Sequence, residues 1–194
     1  MSSPVSQRWQ AAFWEVVTEP SISGALREAA IGERLGDWTG ALTQVAVATC
    51  EAMGWHASAR GHRLDLLPIP RSEYLALDVT AFAEGEKQWR FPVAILELEN
   101  SRDDDRIAYS LWKVLCVRAD LRVVFCYRRR PDEGPPLVRR LRDGVVRAMA
   151  IQTCADLSGE TLVVVGSRDE SATFPYGFFK WWKLDTNTGT FRLM

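Results

Sequence analysis

Hydrophobic and polar positions change their period along the chain, and each change predicts a different kind of element. Apolar residues recur at three- and four-residue spacing over 5 to 17 and 37 to 53, which predicts two helices, and Gly54 lies where the second would end. From about residue 57 the period becomes two, which indicates β-strands. These predicted strands are 58 to 67, 74 to 82 and 91 to 100, with the turn sequence "EGEK" before the third. The front of the chain is therefore mainly helical and leads into a three-stranded meander.

The second half alternates between helices and strands. "SRDDDRIAYSLWKVLCVRA" predicts a helix over 104 to 118, because acidic residues occupy its first turn and an apolar stripe runs along it. "LRVVFCYR", at 121 to 128, and "ETLVVVGSRD" are typical of strands covered on both faces, and "PPLVRRLRDGVVRAMA" predicts a helix between them. The tail predicts a hairpin that turns near Asn187 to Gly189. This order favours an α/β (α+β) fold with a central mixed sheet flanked by helices, in one domain spanning 1 to 194.

Composition excludes several classes of protein. The 194 residues are 47% apolar and 25% charged with a net charge of -1, as in a soluble globular protein. No apolar run approaches the roughly 20 residues that cross a bilayer, and the first residues lack a secretory signal, so we expect a cytoplasmic protein without a membrane partner. Four scattered cysteines and two histidines speak against a zinc site or a disulfide framework.

An acidic pair interrupts the most apolar part of the chain, in "FPVAILELENS". Side chains two apart on a strand share a face, so Glu97 and Glu99 would project together about 7 Å apart. Asp78, on the preceding strand, would join them if the register sets it alongside. Three such carboxylates repel one another, and oxygen-only ligands favour a hard cation, Mg²⁺ or Mn²⁺. The pattern therefore predicts a metal site at Asp78, Glu97 and Glu99.

These residues and the order of elements over roughly 40 to 150 resemble the PD-(D/E)xK superfamily, which has the restriction-endonuclease-like fold. The signature position that usually holds lysine is Glu99 here, as in the E-x-E form of some members. The resemblance implies a magnesium-dependent endonuclease that hydrolyses phosphodiester bonds of DNA. Other members carry the lysine on the next helix, which makes Lys113 the candidate for orienting or activating the attacking water. A second metal ion bound by Glu99 is the alternative for that task.

Simpler interpretations compete with each of these assignments. Glu97 and Glu99 would also suit the solvated face of an antiparallel sheet, and Lys113 would also suit the surface of a helix. Glu51, on the helix at 37 to 53, is a further acidic residue that could approach the site, although a solvent-facing position suits it better.

A basic region follows the acidic motif. Residues 113 to 147 contain ten lysines and arginines and four acidic residues, a local charge of +6. Arginine binds phosphate oxygens through a planar fork, so the region predicts contacts to a nucleic-acid backbone. The predicted contact residues are Arg128, Arg129, Arg130, Arg139 and Arg140. Trp181 and Trp182 could stack on bases or belong to the core.

Two hypotheses follow for the function. The first is a metal-dependent nuclease in which Asp78, Glu97, Glu99 and Lys113 are catalytic. The second is a catalytically degenerate protein of the same fold that binds nucleic acid or another protein, and the absence of lysine at position 99 favours it. The sequence leaves open DNA or RNA as the partner, and a monomer or a homodimer as the assembly.

Overall fold

The computed structural model describes residues 3–32, 34–85 and 88–194. In chain order the α-helices are α1 (Val5–Thr18), α2 (Pro20–Ile31), α3 (Leu35–Ala52), α4 (Asp104–Leu115), α5 (Gly134–Gly144) and α6 (Ile151–Ala155). The strands are β1 (Trp55–Ala59), β2 (Val79–Ala83), β3 (Ala94–Leu98), β4 (Leu121–Arg128), β5 (Glu160–Ser167), β6 (Phe179–Asp185) and β7 (Thr190–Leu193). Short 3-10 turns occupy Tyr74–Ala76, Pro131–Glu133, Val146–Ala148 and Arg168–Thr173.

The strands form one mixed sheet of seven strands within the described ranges, and their order in the sheet is their order in the chain. β3, β4 and β5 are parallel to one another, whereas the remaining pairs are antiparallel. Parallel neighbours need a crossover connection, which α4 provides between β3 and β4, and α5 with α6 between β4 and β5. The predicted α+β class with a central mixed sheet is confirmed.

Helices cover both faces of this sheet. On one face α1, α2 and α3 enclose an aromatic core in which Trp9 and Phe13 contact Phe125. On the other face Leu111 of α4 packs with Ile95 of β3, together with side chains from α5. Alternate residues of β3 therefore enter two different cores, and the face that carries Ile95 also carries Glu97.

Local sequence explains where α4 begins and ends. Asp103 precedes the helix and its carboxylate accepts a hydrogen bond from the Asp105 backbone N–H at 2.9 Å. Asp104 and Asp105 lie in the first turn, where negative charge stabilises the helix dipole. The helix ends at Leu115 rather than at residue 118, because the chain turns at Cys116 to enter β4.

All three strands of the predicted meander are shorter than the sequence pattern suggested. The predicted 58 to 67 is Trp55–Ala59, which also begins earlier, 74 to 82 is Val79–Ala83, and 91 to 100 is Ala94–Leu98. β1 ends at Ala59, since the chain then turns through Gly61, which has φ +83°, and only isolated bridges follow. β2 begins at Val79, because the segment before it contains the 3-10 turn Tyr74–Ala76. The segment between β1 and β2 is mainly a loop, but its apolar and polar residues alternate as they do in a strand, which explains the wrong bounds. The predicted turn "EGEK" lies partly outside the described residues.

The other predicted helices and strands are present, with bounds that differ from the predicted ones by a few residues. α3 ends before Gly54, whose φ of +74° suits glycine, and the C-terminal hairpin turns before Gly189 at φ +62°. Trp181 and Trp182 are buried, so they belong to the two cores. Within the described part of the chain, no helix has both the length and the apolar character needed to cross a membrane.

Candidate active site

Strand pairing brings Asp78 next to Glu97. β2 and β3 are antiparallel with Val79 opposite Leu96, so Asp78, which directly precedes β2 rather than lying within it, is beside Glu97. The Asp78 carboxylate accepts a hydrogen bond from the Leu98 backbone N–H at 2.7 Å. This bond anchors Asp78 at the carboxyl end of β3, where the two acidic side chains meet.

Glu97 is unusual among the acidic residues because it is almost entirely buried, with 5% of its surface exposed. Burial raises the pKa of its carboxyl group from 4.5 to about 7, and the negative charge of Asp78 acts in the same direction. The neighbouring Lys113 opposes this change and lowers the pKa, but burial outweighs it. The Glu97 carboxyl is therefore poised to exchange a proton near neutral pH.

Lys113 reaches this carboxyl group from α4. Its ammonium nitrogen lies 2.8 Å from Oε1 of Glu97 and donates a hydrogen bond of 2.8 Å to the Ala76 carbonyl oxygen. The Lys113 ammonium is therefore the charged partner of this buried carboxylate oxygen. The structure thus brings together Asp78, from the residue just before β2, Glu97 of β3 and Lys113 of α4.

The turn that supplies the Ala76 carbonyl has an uncommon backbone. Leu75 and Ala76 both have positive φ, 58° and 55°, which is costly for residues with a Cβ atom. Such local strain is concentrated at functional sites in many proteins. Here it aims a carbonyl oxygen at Lys113 and places the turn directly before Asp78.

Glu99 takes a different position from the one that the sequence predicted for it. It lies just beyond the end of β3, half-buried, and its Oε1 accepts a hydrogen bond from the Ser101 backbone N–H at 2.7 Å. Over residues 3–32, 34–85 and 88–194, no three acidic, histidine or cysteine side chains are grouped so that they could hold a metal ion. The close acidic pair is therefore Asp78 and Glu97, and Glu99 would have to leave Ser101 to join them.

The pair nevertheless suits a hard divalent cation. The carboxylate of Asp78 acts electrostatically on that of Glu97, and an ion held by both would share Oε1 of Glu97 with the Lys113 ammonium. Mg²⁺ and Mn²⁺ are bound in proteins through one or two carboxylates with water completing the shell. Asp78 and Glu97 are the residues that would hold such an ion.

The five arginines predicted to contact nucleic acid differ in their surroundings. Some form ion pairs within the protein, and others expose most of their side chain to solvent. Asp104 forms ion pairs with both Arg128 and Arg140, and the side chain of Arg128 is only 12% exposed. Arg130 forms a two-pronged contact with Asp132, with both nitrogen–oxygen distances at 2.9 Å. Arg128 is therefore largely an internal ion-pair partner.

Arg129 and Arg139 present more of their side chains to solvent. The side chain of Arg129 is 78% exposed and only loosely approaches Asp169, at 3.6 Å. Arg139 is exposed on α5, where its charge acts on Asp143. Together with Arg140, which is 71% exposed despite its contact with Asp104, these are the predicted arginines best able to meet phosphate.

Sequence reasoning missed an aromatic pair beside Lys113. Tyr109 and Trp112 on α4 are both more than half exposed, and their rings stack with centroids 5.8 Å apart and planes at 25°. The ammonium of Lys113 lies 5.9 Å from the Tyr109 ring centroid. The sequence did contain a sign of this pair, because Tyr109 and Trp112 are large aromatic residues three positions apart on the polar face of a predicted helix.

Other sequence-based candidates lie away from this cluster. Glu51 is exposed on α3, which covers the opposite face of the sheet. Burial raises the pKa values of Cys50 and Cys126 to about 12, so neither thiol is a reactive thiolate at neutral pH. No protein-family model matches this chain, and a comparison with curated proteins found no match.

Proposed function

We propose that this protein is a metal-dependent nuclease that hydrolyses phosphodiester bonds of DNA. The observation that carries the proposal is the meeting of Asp78, Glu97 and Lys113, three side chains from separate segments of the chain, at one end of the sheet. Burying a carboxyl group beside a second carboxylate and a lysine lowers the stability of the folded protein and here brings the pKa near neutrality. Such arrangements are concentrated at catalytic sites.

Each residue has a distinct task in this proposal. Asp78 and Glu97 hold Mg²⁺ or Mn²⁺, and the ion when bound supplies positive charge that stabilises the negative charge developing on the phosphate. Lys113 uses one donor on the Ala76 carbonyl and faces Glu97 with another. A lysine ammonium has three donors, so the third can orient the attacking water or bind a phosphate oxygen.

Nucleic acid would approach over α4 and α5. The exposed side chains of Arg129, Arg139 and Arg140 would contact phosphates, which binds DNA without regard to its sequence. The stacked rings of Tyr109 and Trp112 stand beside Lys113 and could take an unpaired base. RNA offers the same phosphates and bases, so it belongs among the substrates to be tested.

A second candidate function is a non-catalytic module that binds nucleic acid or protein. The observation that favours it is the hydrogen bond between Glu99 and Ser101, which leaves two close carboxylates instead of three. In that case the contact between Lys113 and Glu97 is a structural ion pair, and the arginines serve binding alone.

The experiment that separates the two functions is a cleavage assay with matched variants. Glu97→Gln and Lys113→Met would be compared with Glu51→Gln, an exposed glutamate on the opposite side of the sheet. Supercoiled DNA, linear duplex, single-stranded DNA and RNA would be incubated with Mg²⁺ or Mn²⁺. We expect cleavage by the wild type and Glu51→Gln, and loss of at least about 100-fold in the other two. Cleavage that survives in folded Glu97→Gln, or is absent from the wild type on every substrate, rejects the nuclease.

A further inference from the structure

An apolar cavity of about 420 Å³ is lined by the segments that lead into β2 and β3. Four large apolar side chains of its lining are more than half exposed: Ile69, Leu75, Trp89 and Phe91. Its volume falls within the roughly 300–1,000 Å³ of small-molecule sites in proteins. Exposed apolar side chains are normal when they are scattered singly, whereas several gathered in one concave place mark a binding site.

The cavity lies on the same face of the sheet as Glu97. Thr80 of β2 is paired with Ile95 of β3, and Ile95 shares a face with Glu97 two positions further along the strand. Thr80 and Phe82, which are also two positions apart, both line the cavity. The cavity therefore begins about 7 Å along the sheet from the level of the acidic pair.

The turn with positive φ that precedes Asp78 also connects the cavity to the candidate active site. Leu75 lines the cavity, and the carbonyl oxygen of the next residue, Ala76, accepts the 2.8 Å hydrogen bond from Lys113. The Thr80 hydroxyl donates to the Tyr74 carbonyl oxygen at 3.4 Å, which ties the same turn to β2. A ligand in the cavity would therefore contact the turn that holds Lys113 in place.

The lining combines aromatic rings with positive charge. Trp89 and Phe91 present exposed rings, and the ring of Phe82 lies behind them on β2. Arg71 and Arg90 belong to the same lining, and Arg71 is exposed. No acidic side chain is among the described residues that line the cavity. Such a lining complements a flat ring that is attached to a phosphate, because the rings can stack on one and a guanidinium can bind the other.

We propose that this cavity binds an unpaired base of a nucleic-acid strand, so that the substrate is single-stranded or locally unpaired. The proposal rests on the proposed nuclease function and adds the class of its substrate. Trp89 and Phe91 stack on the base, and Arg71 binds a neighbouring phosphate. A base inside a duplex is stacked between its neighbours, so it would have to leave the helix to enter the cavity.

Binding measurements without divalent metal separate base stacking from charge and from catalysis. The ligands would be an unstructured single-stranded DNA oligonucleotide, the corresponding duplex, and an abasic strand of the same length that keeps the phosphates but lacks the bases. We expect the wild type to bind the single strand at least about tenfold more tightly than the abasic strand. The fluorescence of a base analogue placed in the single strand should report its stacking on the protein.

Trp89→Ala and Phe91→Ala are the variants that test the cavity. Each should weaken binding of the single strand by at least about fivefold and leave the affinity for the abasic strand unchanged. Trp89→Phe keeps an aromatic face and should retain most of the affinity. Tyr176→Ala is the matched control, because Tyr176 is an exposed aromatic residue that packs on Trp14 of α1 and should not affect strand binding.

Arg71→Ala tests the contribution of charge at the same place. It should weaken binding of the single strand and of the abasic strand equally, and it should reduce the salt dependence by about one phosphate contact. An unchanged salt slope overturns the contact between Arg71 and a phosphate.

The outcomes distinguish the cavity from the nuclease. Equal affinity of the wild type for the normal and abasic strands, or unchanged single-strand binding in folded Trp89→Ala and Phe91→Ala, overturns the cavity proposal even if the wild type cleaves DNA. The expected losses, repeated in the Glu97→Gln background, support base binding in the cavity, and absence of cleavage would then reject only the nuclease. If the two variants instead convert a dimer into monomers without affecting strand binding, the cavity is a contact between copies of this chain and the proposal is rejected.

Discussion

Lys113 of α4 holds its ammonium nitrogen 2.8 Å from a carboxylate oxygen of Glu97 on β3, although burial raises the pKa of that carboxyl to about 7. The lysine favours the ionised glutamate, and the apolar surroundings and Asp78 favour the protonated form. These opposing effects leave the pKa of Glu97 close to neutral pH. Modest changes in pH or in nearby charge should therefore change whether its carboxyl group is protonated.

The first prediction is a pH dependence of stability that comes from Glu97. Its folded pKa of about 7 lies above the ordinary value of 4.5, so the folded state binds more protons between these pH values. Its contribution is fully present below about pH 4.5 and is lost as pH rises through 7, a change of order 2 to 3 kcal/mol. Denaturant midpoints from pH 5 to 8 would measure the decline.

Glu97→Gln is the test variant for this first prediction. It cannot ionise, so its stability should decline less over the same range and should exceed that of the wild type at pH 8. Lys113 keeps its hydrogen bond to Ala76 in the variant, which limits any new penalty. Parallel pH profiles for wild type and Glu97→Gln would show that Glu97 is not the titrating group.

The second prediction separates two properties of Asp78, its charge and its hydrogen bond. Asp78→Asn keeps an oxygen that can accept from the Leu98 N–H and removes repulsion with Glu97, so its stability without metal should equal or slightly exceed that of the wild type. Asp78→Ala leaves the Leu98 N–H without its acceptor and should cost about 1 to 3 kcal/mol. Urea unfolding at pH 8 measures both differences.

Magnesium extends this comparison to the proposed metal site. An ion that binds only the folded state raises the denaturation midpoint, so several millimolar Mg²⁺ should stabilise the wild type but not Asp78→Asn. An equal response to Mg²⁺ in both proteins would assign the effect to another site.

The third prediction concerns Asp104, which engages Arg128 and Arg140 at once. Asp104→Asn should destabilise the fold by about 1 to 3 kcal/mol, because Arg128 is largely buried and loses its charged partner. The same change releases positive charge, so affinity for unrelated DNA sequences should rise and the salt dependence should steepen by up to about two phosphate contacts.

Asp105→Asn is the matched control for that change, since Asp105 lies in the same first turn of α4 but is exposed. Binding isotherms at several salt concentrations would compare the two variants. If both show the wild-type salt slope, the arginines around Asp104 do not contact the nucleic-acid backbone.

The fourth prediction identifies one basic residue as structural. Arg122 is 1% exposed and donates to the carbonyl oxygens of Val114 and Val117, each at 3.0 Å, and of Ser158 at 2.8 Å. Arg122→Met keeps much of the packing but removes the donors, so it should cost at least about 3 kcal/mol. Arg118→Met, at an exposed position nearby, should change the unfolding free energy by less than about 0.5 kcal/mol.

The sequence by itself determined the kind and order of most elements, because hydrophobic period and turn residues act over a few neighbouring positions. β4 coincides with the predicted 121 to 128, and α4 begins at Asp104 as its acidic first turn indicated. The alternation of apolar and polar residues gave wrong bounds for β1 and β2, because a loop with positive-φ residues between them has the same alternating pattern as a strand. Strand spacing also predicted that Glu97 and Leu96 point to opposite faces.

Only the tertiary structure decided which charges meet. The ion pairs of Lys113 with Glu97 and of Asp104 with two arginines join residues from different elements, and helix packing on the sheet sets their distances. Glu99 differs, because its hydrogen bond from the Ser101 N–H is a local contact, which strand spacing alone did not predict. Four arginines between Arg102 and Arg168 are likewise far apart in the sequence, and they line one cavity of about 270 Å³ only because three parallel strands end at the same edge of the sheet.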